Sequence, residues 1–410
     1  MTLDSNAILG IRSQFPVLSQ NVNGSALVYL DNAATTQNPQ AVIDTSARYY
    51  SEINSNIHRG AHFLSREATA AHEAARDTIA KHFNAAHSHE IIFTSGTTDG
   101  INLVATALTF SGKINAGDRI LISALEHHSN IVPWQMLCQH TGAELDVLPI
   151  TDSGEWDLTE LDTLLTERTK LVAVNHISNA LGTVNPIDII ISKAKQVGAL
   201  TLIDGAQSAA YMEVDVQSLG CDFYVFSGHK CYAPTGIGVL WGKEDALNEL
   251  PPYKGGGEMI KLVTFEKTTY NELPFKYEAG TPNIEGAIAL AAAFDWMNEI
   301  GLEAMGAHED HLLQLATKAI KEIEGVKIYG TAAKKAAVLS FNIAGIHHYD
   351  LGTLMDQMGV AVRTGHHCCQ PLMARYGIQG TVRASFAVYN TEEDVASLIS
   401  AIKKSKMMLS

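Results

Sequence analysis

No stretch of this 410-residue chain approaches the roughly 18 consecutive apolar residues that a membrane-spanning helix needs. The most apolar run, Gly286 to Phe294, stops at Asp295 and reads as a buried helix, so no membrane association is expected. Basic residues are also scarce. The chain has 29 Lys and Arg against 44 Asp and Glu, a net charge of -15 that repels phosphodiester backbones and anionic lipid alike. Nucleic acid is therefore not an expected partner. The five cysteines, Cys138, Cys221, Cys231, Cys368 and Cys369, are odd in number and irregular in spacing, which excludes a disulfide framework and fits a reducing, cytoplasmic location. What the chain does have is apolar content: 46% of residues against 18% charged, enough to bury a large core and too much for a disordered segment.

From about residue 90, short β-branched runs alternate with longer helical stretches, as a mostly parallel sheet with crossover helices requires. Strands are expected at 90–94, 119–123, 171–175, 200–204, 222–226 and 238–241, with helices at 102–108, 131–140 and 187–197 between them. Beyond Gly280-Thr281-Pro282-Asn283, two helices at 285–299 and 302–323 precede a run of short strands and helices. The expected fold class is α/β. A large domain spans residues 41–280, a smaller α+β domain spans 281–410, and residues 1–40 return to pack on the smaller one.

Several clusters fall at strand ends, where open α/β sheets bind their ligands. Gly96-Thr97-Thr98 follows a strand and opens a helix; it suits a phosphate at the positive helix end, and it equally suits an ordinary capped helix start. Asp204 ends an apolar strand, where a carboxylate needs a partner such as a protonated ring nitrogen or a helix N-terminus. Lys230, in Ser227-Gly228-His229-Lys230, follows another apolar strand, where desolvation favours the free amine and Schiff-base chemistry. His127 and His128 add imidazoles at a further strand end, able to stack on a planar ring or shuttle protons. In Arg363-Thr364-Gly365-His366-His367-Cys368-Cys369, a thiol beside two histidines reads as a nucleophile lowered by a nearby imidazolium. A metal site there fits poorly, because contiguous residues diverge and zinc ligands usually stand two to four apart. Arg383 has the fork that suits a substrate carboxylate or an internal ion pair. Together these are the parts of a pyridoxal 5'-phosphate enzyme.

The sequence resembles the pyridoxal-phosphate cysteine desulfurases, within the class-V aminotransferases, and among them the group II SufS/CsdA branch. The likeness rests on Tyr29-Leu30-Asp31-Asn32-Ala33-Ala34, Asn56-Ile57-His58-Arg59-Gly60, Gly96-Thr97-Thr98, Glu126-His127-His128-Ser129-Asn130, Asp204-Gly205-Ala206-Gln207, Ser227-Gly228-His229-Lys230, Gly280-Thr281-Pro282 and the short Arg363–Cys368 loop, all in order. The resemblance implies fold type I with Lys230 as cofactor lysine, His127 as ring stacker and proton donor, Asp204 on the ring nitrogen and Gln207 on the phenolic oxygen. It implies Thr97, Thr98, Ser227 and His229 around the phosphate, with Thr281 reaching the phosphate of a second subunit in a homodimer. Arg383, Asn179, His58 and Arg59 would then contact the substrate, L-cysteine or L-selenocysteine, and Cys368 would take the sulfur of L-cysteine and pass it to a SufE-like or SufU-like acceptor for iron–sulfur cluster assembly. No metal is expected. The rival readings are a selenocysteine lyase, a class-V aminotransferase that needs no thiol, and a non-catalytic metal-binding protein using residues 366–369. Two departures from the family pattern stand out: Ala233 in Cys231-Tyr232-Ala233-Pro234, where glycine is common, and Cys369, where a small apolar residue is usual.

Overall fold

The structure is a computed structural model in which residues 3–410 are described. Seven strands build the large sheet: β1 (Ile91–Thr94), β2 (Arg119–Ser123), β3 (Glu144–Leu148), β4 (Thr169–Asn175), β5 (Leu200–Asp204), β6 (Phe223–Ser227) and β7 (Gly238–Gly242). Their order is β1-β7-β6-β5-β4-β2-β3. Strands β6, β5, β4, β2 and β3 are parallel, whereas β7 is antiparallel to both its neighbours, β1 and β6. Residues 228–237 alone join β6 to β7, too short a link for the helical crossover that a parallel pair needs. The inner strands are apolar on both faces: Val172, Val174, Leu202, Ile203, Val225 and Phe226 are all fully buried, as a doubly covered sheet demands.

Several elements had no sequence expectation, two of them in the large domain's frame. Strand β3 carries Glu144 and Asp146, which suggested no strand, but it lies at the sheet edge, where both carboxylates pair with Arg119 of β2 at 2.8 Å. Charge at an edge discourages pairing with another chain. The other is the 20-residue helix α1 (Phe63–His82), whose inner face is largely alanine (Ala68, Ala75, Ala80) and includes buried His72 and Arg76. Such a face has little hydrophobic contrast, so the helical period barely shows. Helices α2 (Thr97–Ser111), α3 (Val132–Thr141) and α4 (Ile187–Gln196) occupy the expected crossovers. The Gly286–Phe294 run lies in α5 (Ile284–Ile300), with Ala287, Ala289, Leu290, Ala293 and Phe294 fully buried. Among the described residues no helix is long and apolar enough to cross a membrane.

A second, antiparallel sheet, ordered β8-β9-β11-β10, consists of β8 (Val326–Tyr329), β9 (Val338–Ile343), β10 (Arg363–Gly365) and β11 (Thr381–Ser385). Leu339, Phe341, Val382 and Ala384 of this sheet share a core with Leu312 and Ala316 of α6 (Leu302–Ile320) and with Leu398 and Ile402 of α7 (Glu392–Leu409). The amino-terminal segment is stitched into it. Val28–Tyr29 pairs in parallel with Val360–Ala361, the Leu30 N–H donates to Ala361 O at 2.9 Å, and the Ser385 N–H donates to Leu30 O at 2.7 Å. Those bonds deliver Asp31, Ala33 and Ala34 to the region between the two sheets.

Arg76 of α1 is 1% exposed, and its guanidinium forks onto Glu278 at 2.8 and 2.9 Å. Glu278 Oε1 also accepts the Phe93 N–H of β1 at 2.7 Å. Removing Glu278 leaves the buried guanidinium with only the half-buried Glu73, 3.1 Å from its Nε, as a counter-charge. Glu278→Ala is therefore expected to destabilise the fold by about 3–5 kcal/mol. Thermal unfolding checks this, and an unchanged midpoint would contradict it.

Candidate active site

Because β2, β4, β5 and β6 are parallel, their carboxyl ends open onto one edge of the sheet, and the candidate residues gather there. A single cleft is lined by Thr97 and Thr98 after β1, His127 after β2, Asn175 and Asn179 from β4 and its loop, Asp204 and Gln207 from β5, and Ser227, His229 and Lys230 after β6. Ala33, Ala34, Arg363, His367, Cys368 and Arg383 complete it from the amino-terminal segment and the second sheet.

Asp204 is 5% exposed. The chain turns directly after it because residue 205 is glycine: a Cβ there would fall 2.1 Å from the Tyr224 ring. Burial raises the Asp204 carboxyl above its ordinary range, opposed by the Ala206 N–H, which donates at 2.9 Å, and by the charge of Lys230. The reverse holds for Lys230, whose amine is lowered chiefly by burial while Asp204 pulls it back up. The two groups thus depend on each other. His127 accepts the Ser129 N–H on Nδ1 at 3.1 Å, so the ring proton sits on Nε2. Burial first, then the neighbouring Lys230 charge, depress its pKa to about 3. A neutral imidazole can stack on a planar ring and offer its Nε2 N–H as a donor. His367, lowered to about 2 by burial and Arg383, is likewise neutral; Arg363 and Arg383 are the cationic side chains of the cleft wall it shares with Cys368.

At the amino end of α2, the Thr97 N–H and hydroxyl both meet Ser227 Oγ at 2.8 Å. Gly96, at φ +146°, leaves a cradle that a Cβ would close to within 3.1 Å of that same oxygen. Gln207 Nε2 donates to Ala33 O at 2.7 Å, and the His229 carbonyl accepts Thr36 N–H and Thr35 Oγ1 at 2.9 Å.

Arg383 and Asn179, expected on the substrate carboxylate, both line the cleft. The Arg383 guanidinium also reaches Asp31 Oδ1 at 3.0 Å and Asn179 O at 2.9 Å, and its buried Nε has no partner. Asn179 Nδ2 donates to His367 O at 2.8 Å. Arg363 is the more exposed of the two arginines and also faces Asp31, at 3.6 Å. Asp31, Arg363 and Glu126 belong to motifs visible in the sequence but had been given no role. Glu126 is buried, accepts Asn130 Nδ2 at 2.7 Å and Asn175 N–H at 3.1 Å, and is pushed by burial up to about 8. The signal for it was a carboxylate just past an apolar strand, the same pattern that singled out Asp204.

His58, Arg59 and Thr281 do not line the cleft of their own chain. His58 lies between Glu73 at 3.0 Å and Glu258 at 3.3 Å, and Arg59 pairs with Glu258 at 3.0 Å. The Gly280 N–H donates to Gly257 O at 3.0 Å, bringing exposed Thr281 to the same part of the surface. His58, His72 and Glu73 also stand within metal-ligating reach of one another, but Arg76, 3.1 Å from the other Glu73 oxygen, opposes a cation there. Residues 366–369 diverge: His366 Nδ1 accepts the Cys368 N–H, His367 Nε2 meets Thr381 Oγ1 at 2.8 Å, and Cys369 Sγ donates to Asn179 Oδ1 at 3.2 Å. Cys369 is fully buried, and burial pushes its thiol up to about 12. Nor is Ala233 the strained residue in its loop; Tyr232 takes the left-handed conformation instead, at φ +59°.

A lysine coupled to a buried carboxylate at neighbouring strand ends, beside a helix amino terminus with an open glycine cradle, defines a pyridoxal-phosphate enzyme of fold type I. The class-V aminotransferase family matches residues 28–398, and the chain belongs to that family. A probable cysteine desulfurase of Vibrio cholerae is 51% identical over 97% of this chain and 98% of its own length. One from Mycolicibacterium paratuberculosis is 50% identical over 97% of the chain, which spans 58% of that longer protein. Among solved structures, the cysteine desulfurase CsdA (S-sulfonic acid) from Escherichia coli superposes with a TM-score of 0.91 at 39% identity, covering 98% of this chain and 99% of that one.

The buried histidines carry a pH signature. His127, His176, His229 and His367 are held near 3, 4, 4 and 2, chiefly by burial. Unfolded, they titrate at about 6.5. Below that pH the unfolded chain takes up protons the folded one refuses, so stability is complete above about pH 6.5 and is lost as pH falls toward about 4. The thermal midpoint should be lower at about pH 5 than at about pH 7.5, with a shallower drop in His176→Asn. A midpoint flat across that window would contradict the neutral assignments.

Proposed function

We propose that the protein is a cysteine desulfurase of the SufS type, converting L-cysteine and its own thiol to L-alanine and a persulfide on Cys368. One observation carries the reading: Cys368 lines the same cleft as Lys230 and Asp204. A transaminase would have no use for a thiol there. Stoichiometry closes without another reagent, since the sulfur lost from Cβ of cysteine appears on Cys368 and a proton replaces it on carbon.

When bound, pyridoxal phosphate supplies an electron sink for the amino acid's Cα. Lys230 would hold the cofactor, and its amine, lowered by burial, would move the Cα proton. Asp204 keeps a proton on the ring nitrogen, and Gln207 turns toward the phenolic oxygen. Thr98, Ser227, His229 and the Thr97 end of α2 hold the phosphate. His127 stacks as a neutral ring. Arg383, steadied by Asp31, orients the substrate carboxylate together with Asn179 and the neighbouring Arg363. The persulfide then passes to an acceptor protein of SufE or SufU type in the cytoplasm.

Cys368→Ala should retain cofactor yet make alanine from L-cysteine at least about 10²-fold more slowly, because only the sulfur-accepting group is gone. Full activity in that variant would favour a selenocysteine lyase or an aminotransferase. The location of His58, Arg59 and Thr281 away from their own cleft but together near Glu258 and Gly257 supports a homodimer in which they complete the second copy's site. Light scattering should give twice the chain mass; a concentration-independent active monomer would contradict this.

A further inference from the structure

We infer that His128 is a positioning residue for the Cys368 nucleophile, anchoring at two points the chain that leaves the thiol-bearing residue; the inference rests on the reading of Cys368 as sulfur acceptor. His367 and Cys368 adopt φ +52° and +55°, two consecutive left-handed residues that both bear side chains. Local preference opposes that conformation, so surrounding contacts must impose it. Asn179 Nδ2 and Thr381 hold His367, before the thiol, and the His366 ring accepts the Cys368 N–H from within the loop itself.

His128 holds the segment that follows the thiol. Its backbone N–H donates to the Cys368 carbonyl at 2.8 Å, and its ring Nε2 accepts the Gln370 N–H at 3.1 Å. The first bond fixes the peptide leaving the thiol-bearing residue; the second fixes the start of the short helix Gln370–Arg375. Because Nε2 accepts, the ring proton belongs on Nδ1. His128 also follows His127, so the end of β2 that presents one imidazole to the cleft sets the backbone carrying the thiol. The paired histidines of the motif thus do different work: His127 faces the cleft and His128 faces the loop.

The test compares wild type, His128→Ala and His128→Gln as holoenzymes, the glutamine retaining a side-chain acceptor. Two quantities are read: kcat and KM for L-cysteine, and the rate at which iodoacetamide alkylates Cys368, mapped on its peptide. His128→Ala should lower kcat about tenfold with KM within about twofold, since a misplaced nucleophile affects the chemical step and not binding. Cys368 alkylation should accelerate at least about threefold as the loop loosens. His128→Gln should recover most of both. Wild-type kcat and alkylation in His128→Ala would overturn the inference, and so would equal loss of activity and cofactor in both variants, the mark of a folding role. Wild type that makes no alanine from cysteine would instead defeat the desulfurase reading, while the alkylation comparison would still decide what His128 does.

Discussion

Asp204 and Lys230 sit at the ends of adjacent parallel strands, and neither charge could be enclosed there alone without a cost of several kcal/mol. Much of the surrounding sequence serves that coupling. Glycine at 205 lets the chain turn against Tyr224, whose hydroxyl meets Ser208 Oγ at 2.6 Å. Past Lys230, Tyr232 is held by Thr36 and packed against Phe15 and Trp296. An amine lowered by burial and a carboxyl raised by it are poised for proton work in the same cleft.

The second constraint is the joint between the two sheets. Asp31 arrives from the amino-terminal segment and faces both Arg383 and Arg363, so that segment is registered against the second sheet by charge as well as by backbone pairing. Arg383, 2% exposed, is then a fixed part of the wall: it holds the Asn179 carbonyl, and Asn179 in turn holds the His367 carbonyl. The thiol is thus linked to the strand ends by a chain of hydrogen bonds.

Much of this was legible in the residues alone. Strands that are apolar on both faces, and the clusters that follow them, announce themselves by composition, and Lys230, Asp204, His127 and Cys368 all line the one cleft. Three things did not show. Helix α1 hides behind alanines, β3 behind edge charges, and the direction of β7 depends on a loop length whose meaning appears only once its partners are known. At the site, a pattern names residue types but not their partners. It could not tell that Arg383 was already engaged by Asp31, that Cys369 turns inward to Asn179, or that His127 and His367 are uncharged.

The central claim is that one cleft brings the cofactor lysine and a sulfur-accepting thiol together, and that only Cys368 is that thiol. Peptide mass mapping of the holoenzyme, treated with L-cysteine in the absence of an acceptor, tests it most directly. The account predicts the gain of one sulfur atom on Cys368, with Cys369 unmodified. Sulfur found on Cys369, or no sulfur gained while alanine accumulates, would contradict it.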